Sequence, residues 1–301
     1  MNVADIAPVI RSPESDHKPP VRSGRDRRSG RTIAVMLTTI VVAVVVLFPV
    51  YWMIVSSVLP TSITLSLHPP LIPTHGFSLH AYAIDLTQRP VGRWMLNSTI
   101  VTAAVTAISV VMSLLAGYSL SRFRGAGPTS VGYILLLARM LPGTMLSIPM
   151  FVVFGKLGLI DSLGSLILAD VTITLPFTTW MLKNFIDAIP RELEDAARID
   201  GCSLLSALVR VVLPLAAPGL GATAVYAAIL SWSDLLFART LITDPDQWTM
   251  PVGVTSFIGA HDVDWSGLMA AGTLTMLPMV VLFAALEPFL VKGLTSGGTK
   301  G

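Results

Sequence analysis

The sequence predicts an all-α integral membrane protein of six transmembrane helices with both termini in the cytoplasm. Three observations carry this. Of 301 residues, 53% are hydrophobic and only 13% are charged, whereas a soluble domain is about 25% charged. The deficit is concentrated in runs of about 18 or more nearly uncharged residues, the length of a membrane-crossing helix. Those runs are apolar on every face and do not alternate. That excludes a β-barrel, because a chain in lipid must otherwise satisfy its backbone hydrogen bonds within helices.

Residues 1–31 carry Arg11, Lys18, Arg22, Arg25, Arg27, Arg28 and Arg31 amid Pro and Ser, and read as a disordered basic tail. The first run, from about Ile33 to Leu59, is too long for a signal-peptide core and has no small-residue cleavage site after it. It reads as an uncleaved span. Further spans are expected at about Met95–Leu120, Val131–Phe154, Gly164–Ile186, Leu220–Leu241 and Gly267–Val291. The spans form one domain over residues 32–291, followed by a tail at 292–301. With the N-terminus inside, fifteen of the twenty Lys and Arg residues fall on the cytoplasmic side. Arg89, Arg93, Lys156 and Arg239 fall outside, and Arg139 within the third run.

Between spans, residues 60–93 are proline-rich with a short helix expected near His80–Leu86. Residues 242–265 carry Asp244, Asp246, Asp262 and Asp264 with Trp248 and Trp265, aromatics suited to the headgroup layer. Inside or at the edge of spans stand Arg139, Asp170, Asp234 and Glu287. Each would cost at least about 2.5 kcal/mol facing lipid at the bilayer centre, so each faces protein or water. At about 1.5 Å per residue, Asp170 and Asp234 lie roughly 8–10 Å from the outer face. Arg139 and Glu287 pair if their helices adjoin. Structural pairing and a polar translocation path are both open readings. Pro142, Pro149, Pro176 and Pro278 interrupt spans and permit kinks.

Several chemistries lack their motifs. There is no glycine-rich phosphate loop around Gly155-Lys156, no H-E-x-x-H and no plausible Ser-His-Asp set within the membrane. The single Cys202 excludes an internal disulfide and a two-cysteine metal motif. His68, His75 and His80 share one outer loop and read as surface residues more readily than as a metal site. No catalytic activity and no nucleic-acid partner are expected.

The cytoplasmic loop at 187–218 is different. It is the one long polar interruption in the second half of the chain. Pro190 suits a first helical turn, and Glu192, Glu194 and Asp195 favour the positive helix N-terminus. Ala196 and Ala197 leave a low surface where another backbone can approach. Gly201 can take positive φ and end the helix. Leu204, Leu205, Leu208, Val211 and Val212 then repeat at helical spacing, before Pro214 and Pro218. A lipid-facing helix would prefer basic residues, so the acidic-Ala-Ala turn favours docking to protein.

Asp195-Ala196-Ala197 and Gly201 resemble the E-A-A-x-x-x-G coupling motif of ABC importer permeases, with Asp for the usual Glu and Leu208 where an aromatic often stands. Further segments are similar to the sugar-uptake branch and its second, maltose-type permease subunit. They are Asn97-Ser98, Met140-Leu141-Pro142, Ile148-Pro149-Met150-Phe151, Leu157-Gly158-Leu159, Trp232-Ser233-Asp234 and the glycine-rich tail from Gly293 to Gly301. Ser57-Val58-Leu59-Pro60 lacks the family's usual lysine before Pro. The resemblance covers about residues 33–301 and implies a type I importer permease fold with a cytoplasmic coupling helix between spans 4 and 5. It further implies a second permease subunit, two ATPase subunits carrying ATP and Mg, and an extracytoplasmic sugar-binding protein. This chain would bind no cofactor itself. Docking to the ATPases would fall to Glu194, Asp195, Ala196, Ala197, Asp200 and Gly201, with Leu204 and Leu208 bracing them. The tail at Gly297, Gly298 and Lys300 would touch the ATPases. Asn97, Arg139, Asp170, Trp232 and Asp234 are candidates for the substrate pathway. Other readings are an ion-gradient transporter coupling through Asp170, Asp234 or Arg139, a membrane scaffold, and the same importer class with a glycerol-phosphate, polyol or amino-sugar cargo. Six spans without an internal repeat are few for a gradient-driven transporter.

Overall fold

The computed structural model describes residues 25–73, 76–259 and 263–297. The N-terminal 24 residues, His75, Asp262, Gly298 and Lys300 lie outside these. Among the described residues the chain is helical, with one isolated bridge between Ile258 and Val263. It divides at Val50 into two units, and α1 (Arg25–Ser57) belongs to both. The helices that follow are α2 (Thr61–Thr64), α3 (His80–Thr87), α4 (Val91–Arg122), α5 (Ala126–Met140), α6 (Gly143–Lys156), α7 (Leu163–Asp187) and α8 (Arg191–Ile199). Then come α9 (Leu204–Ala207), a π-helical segment (Leu208–Val212), α10 (Leu213–Leu215), α11 (Ala217–Trp232), α12 (Leu236–Leu241), a 3-10 turn (Pro245–Gln247), α13 (Met250–Thr255) and α14 (Trp265–Gly297). Four helices have the length and apolarity of a span, and six spans result if each of two bent pairs counts as one.

Two expected spans are not single rods. The third run is α5 and α6, bent by 102°. Pro142 offers no N–H, and its ring holds Leu141 extended at φ −75°, ψ 121°. The fifth run ends at Trp232, not Leu241. There the Asp234 carboxylate accepts N–H bonds from Phe237 (3.2 Å) and Ala238 (2.9 Å) and starts α12. The expected apolar stripe after Gly201 is also interrupted. Pro214 cannot bond back to Arg210, and the ladder widens into the π segment. Leu208 and Val212 are buried there, while Leu204 and Leu205 stay exposed.

The core is the pairing of α4 with α7, against which α11 packs. Small residues recur every fourth position on α4. Ser109 pairs with Thr174 (2.8 Å), Ser113 with Thr178 (2.6 Å), and Ser121 donates to Asp187 (2.6 Å). Between them sits Gly117, where a Cβ would lie 3.0 Å from the Lys183 amide nitrogen and 3.1 Å from the Thr179 carbonyl. This is how helices associate in lipid, where apolar contact alone gives no drive: small residues admit close backbones and hydroxyls bond across.

The other end of α4 holds the 242–250 segment. Trp94 Nε1 donates to the Pro245 carbonyl (3.1 Å), and Ser98 Oγ accepts from the Met250 amide (2.8 Å). Asp161, at φ +58°, accepts from the amides of Asp244 and Thr243, which lower its carboxyl pKa.

Because the groups facing Gly117 are backbone, Gly117→Ala must push α4 and α7 apart. It is expected to lower stability by about 1–3 kcal/mol. Thermal unfolding in nanodiscs measures this, and an unchanged midpoint would contradict the seam.

Candidate functional site: the braced helix α8

Pro190 opens α8 with φ −56°, ψ 134°. The helix ends in a full Schellman turn. The Cys202 amide bonds to the Ala197 carbonyl (2.9 Å) and the Gly201 amide to the Arg198 carbonyl (3.1 Å). Gly201 stands at φ +91°, and a Cβ there would meet nothing within 4 Å. Glycine is therefore required by backbone conformation and not by space.

The adjacent acids Glu194 and Asp195 do opposite things. Asp195 is exposed. Glu194 turns inward and is 6% exposed, so its side chain bonds within the chain. It accepts from Tyr118 Oη (2.9 Å) and forms a buried ion pair with Arg122 Nε. Arg122 also donates to the Ile189 carbonyl (3.0 Å), and Arg191 donates to the Ser121 carbonyl (2.5 Å). The last turn of α4 thus grips both the Pro190 link and α8. Behind it, Leu208, Val212 and Ala216 pack with Tyr118, Ile186 and Ile189. Leu208 is buried in this cluster, whereas Leu204 lines a cavity of about 210 Å³ with Asp195 and Arg198.

The outward surface of α8 is Asp195, Ala196, Ile199 and Asp200, with Ala197 half-buried. Ile199 is 86% exposed. The sequence reading did not single out this exposed isoleucine, nor Tyr118 and Arg122. Four-residue spacing at the end of the second run was the available signal, but Arg122 counted there only as a cytoplasmic charge.

The pathway candidates separate. Asn97 is buried, and its Nδ2 donates to the carbonyls of Asp246 (3.0 Å) and Trp248 (2.9 Å). Asp170 is buried and accepts from Ser231 Oγ (2.7 Å). Arg139 lies 4.0 Å over the Phe177 ring, and no ion pair joins it to Glu287 among the described residues. Asp234 caps α12. Trp232 lines a cavity of about 300 Å³ between α4, α11 and α14, beside the unpaired hydroxyls of Thr102 and Thr106. Gly297 is the last helical residue of α14.

The molecule is an all-helical fold with helices long and apolar enough to span a membrane, and it carries the braced helix α8. Residues 109–296 match the model for the binding-protein-dependent transport system inner membrane component, and the chain belongs to that family. It is a multi-pass membrane protein, and permease subunits of this family are transport components without catalytic activity. It is 34% identical to the inner membrane ABC transporter permease protein YcjP of Escherichia coli, over 86% of this chain and 92% of that one. It is 32% identical to the diacetylchitobiose uptake system permease protein DasC of Streptomyces coelicolor, over 88% and 96%. The trehalose/maltose transport system permease protein MalG of Thermococcus litoralis is also 32% identical, over 90% and 98%. The fold matches a chain of a bacterial ABC transporter that imports the acidic polysaccharide alginate, with TM-score 0.75 and 21% identity over 90% of this chain and 99% of that one.

Glu194→Ala strands the Arg122 guanidinium in a buried site and is expected to cost about 3–5 kcal/mol. Tyr118→Phe removes one hydrogen bond and should cost about 1–2 kcal/mol. Thermal unfolding of the two variants compares them directly, and equal midpoints would contradict the inward placement of Glu194.

Proposed function

We propose that this chain is one permease subunit of an ATP-driven, binding-protein-dependent importer, forming half of the pathway for a di- or oligosaccharide or related sugar derivative. The observation that carries the coupling role is α8 itself: it is capped at a left-handed glycine, tied to α4 by a buried ion pair, and exposes a small apolar and acidic face. The sugar class draws on the relatives named for diacetylchitobiose and for trehalose/maltose. Six spans, with both termini in the cytoplasm, follow from counting each bent pair once and from the charge bias. The partners are a second permease, two ATPase subunits that hold ATP and Mg, and an extracytoplasmic sugar-binding protein. This chain holds no cofactor of its own. Asp195, Ala196, Ile199 and Asp200 seat in an ATPase groove, and Gly297, Gly298 and Lys300 extend toward the ATPases. ATP-driven closure moves α8, and the helices switch between two packings. Trp232 is the pathway candidate that the geometry favours. A gradient-driven mechanism is disfavoured, because Asp170, Asp234 and Arg139 are each engaged within the chain.

Gly201→Val places a β-branched residue at φ +91° and should cost about 1–2 kcal/mol locally. Expected in proteoliposomes is loss of sugar uptake, with capture of the loaded binding protein intact. Normal uptake would overturn the lever, and uptake abolished by a protonophore but independent of ATP would overturn the importer.

A further inference from the structure

On the side assigned above as extracytoplasmic, α3 and the head of α14 enclose a cavity of about 260 Å³. Asp85 forms its floor, with a side chain 0% exposed. Its Oδ1 accepts from Arg89 Nη1 (3.2 Å), but its Oδ2 is buried without a partner. Arg89 is shared: its Nη2 pairs with Asp264 (2.8 Å) and its guanidinium lies 4.4 Å over Phe257. One guanidinium thus serves two carboxylates, and one negative charge is left over. His80 and Asp264 are the other titratable groups on the wall. Burial lifts the Asp85 carboxyl to about 6 against the pull of Arg89, and Asp264 adds to the rise.

The hydroxyls that line the cavity are committed elsewhere. Thr61 pairs with Ser266 (2.9 Å), Ser57 with Tyr82 (2.6 Å), and Ser78 accepts from the His80 amide (3.1 Å). No side chain of the wall bonds to Oδ2. The remaining walls are apolar: Leu59, Pro60, Ala81 and Ile84. At the rim, Phe77 and Leu79 are exposed on either side of Ser78. An anionic floor below an aliphatic shaft complements a long basic side chain, whose stem packs on apolar surface while its head is held by charge. The exposed apolar rim is suited to a protein surface around it.

We propose that this cavity receives a lysine or arginine side chain of the extracytoplasmic binding protein, its cationic head on Asp85 Oδ2 and its stem along Leu59, Pro60, Ala81 and Ile84. This rests on the importer reading above. The test uses the whole transporter in nanodiscs free of phosphatidylethanolamine, with the binding protein that co-purifies from the native membrane. Asp85→Asn, neutral and of the same shape, should weaken capture by about tenfold or more, while Asp85→Glu retains part of it. Ala81→Trp, which plugs the shaft and leaves the carboxylate in place, should do the same as Asp85→Asn, with basal ATP hydrolysis unchanged in all three. In a Cys202→Ser, Ser78→Cys background, a cationic methanethiosulfonate should react at least about tenfold faster than an anionic one. Saturating n-butylammonium should remove that preference. Unchanged capture by both Asp85→Asn and Ala81→Trp overturns the proposal while leaving the importer reading intact. If the wild-type transporter captures no extracytoplasmic protein, the importer reading fails first and this occupant falls with it. If adding phosphatidylethanolamine abolishes the reagent preference and capture does not depend on Asp85, the seat belongs to a lipid amine and the protein occupant is overturned.

Discussion

The seam between α4 and α7 is the constraint from which the rest of the molecule follows. Apolar side chains gain nothing by leaving lipid for one another, so two helices stay together only through close packing and bonds across the interface. Ser109, Ser113, Gly117 and Ser121 supply both at one residue per turn. The seam continues beyond the apolar zone without a break. Its last rung, Ser121 to Asp187, is also the first contact of the polar assembly that holds α8. A shift of α4 relative to α7 would therefore break the bundle and misplace α8 together.

The Glu194–Arg122 pair adds definition more than stability. Desolvating two charges offsets much of their attraction, and a well-packed apolar pair of similar volume is often as stable. Here the geometry uses the charges fully. Glu194 takes donors from Tyr118 and Arg122, and Arg122 spends a further N–H on the Ile189 carbonyl. An apolar substitute would bury area but leave α8 free to roll about its axis. The polar set fixes which face of α8 looks outward, and it is that face which carries Ala196 and Ile199.

How much of this was legible in the sequence depended on range. The apolar runs, the helix at His80 and the acidic-Ala-Ala-Gly turn are local patterns; the last two appear where expected, while the third run is bent and the fifth ends at Trp232. The polar residues at span ends were harder. Asn97 became a pathway candidate from the resemblance at Asn97-Ser98, and Asp234 as a carboxylate in or at the edge of a span. In the structure Asn97 bonds to carbonyls of the 242–250 segment, and Asp234 to the first amides of α12. Glu194 and Asp195 are neighbours of the same charge, and about 100° of helical rotation separates a brace from an exposed acid. Arg122 and Tyr118, 72 and 76 residues earlier, decide between them. The serines of the seam were visible at their spacing, but uncharged residues in an apolar run raise no alarm. Pro142 announced a kink without its size.

The two ends of α8 differ in kind, and this bears on how a push on it would travel. At the N-terminal end the link to α7 is only Ala188, Ile189 and Pro190, and Arg122 and Arg191 clamp it to α4. At the C-terminal end the Schellman turn leads into α9 and the π segment, whose Leu208 and Val212 are buried against Tyr118 and Ile186. Tyr118 belongs to both sets: its ring is in that apolar cluster and its hydroxyl is on Glu194. A displacement of α8 therefore reaches α4 by two routes, one electrostatic and one by packing, that meet in a single turn of helix. Because α4 is bonded to α7 along its length, the pair responds as one body. In the proposed cycle, motion taken up outside the membrane would rock the α4–α7 pair and leave bending to the places where the backbone is already broken, at Leu141-Pro142 and after Trp232.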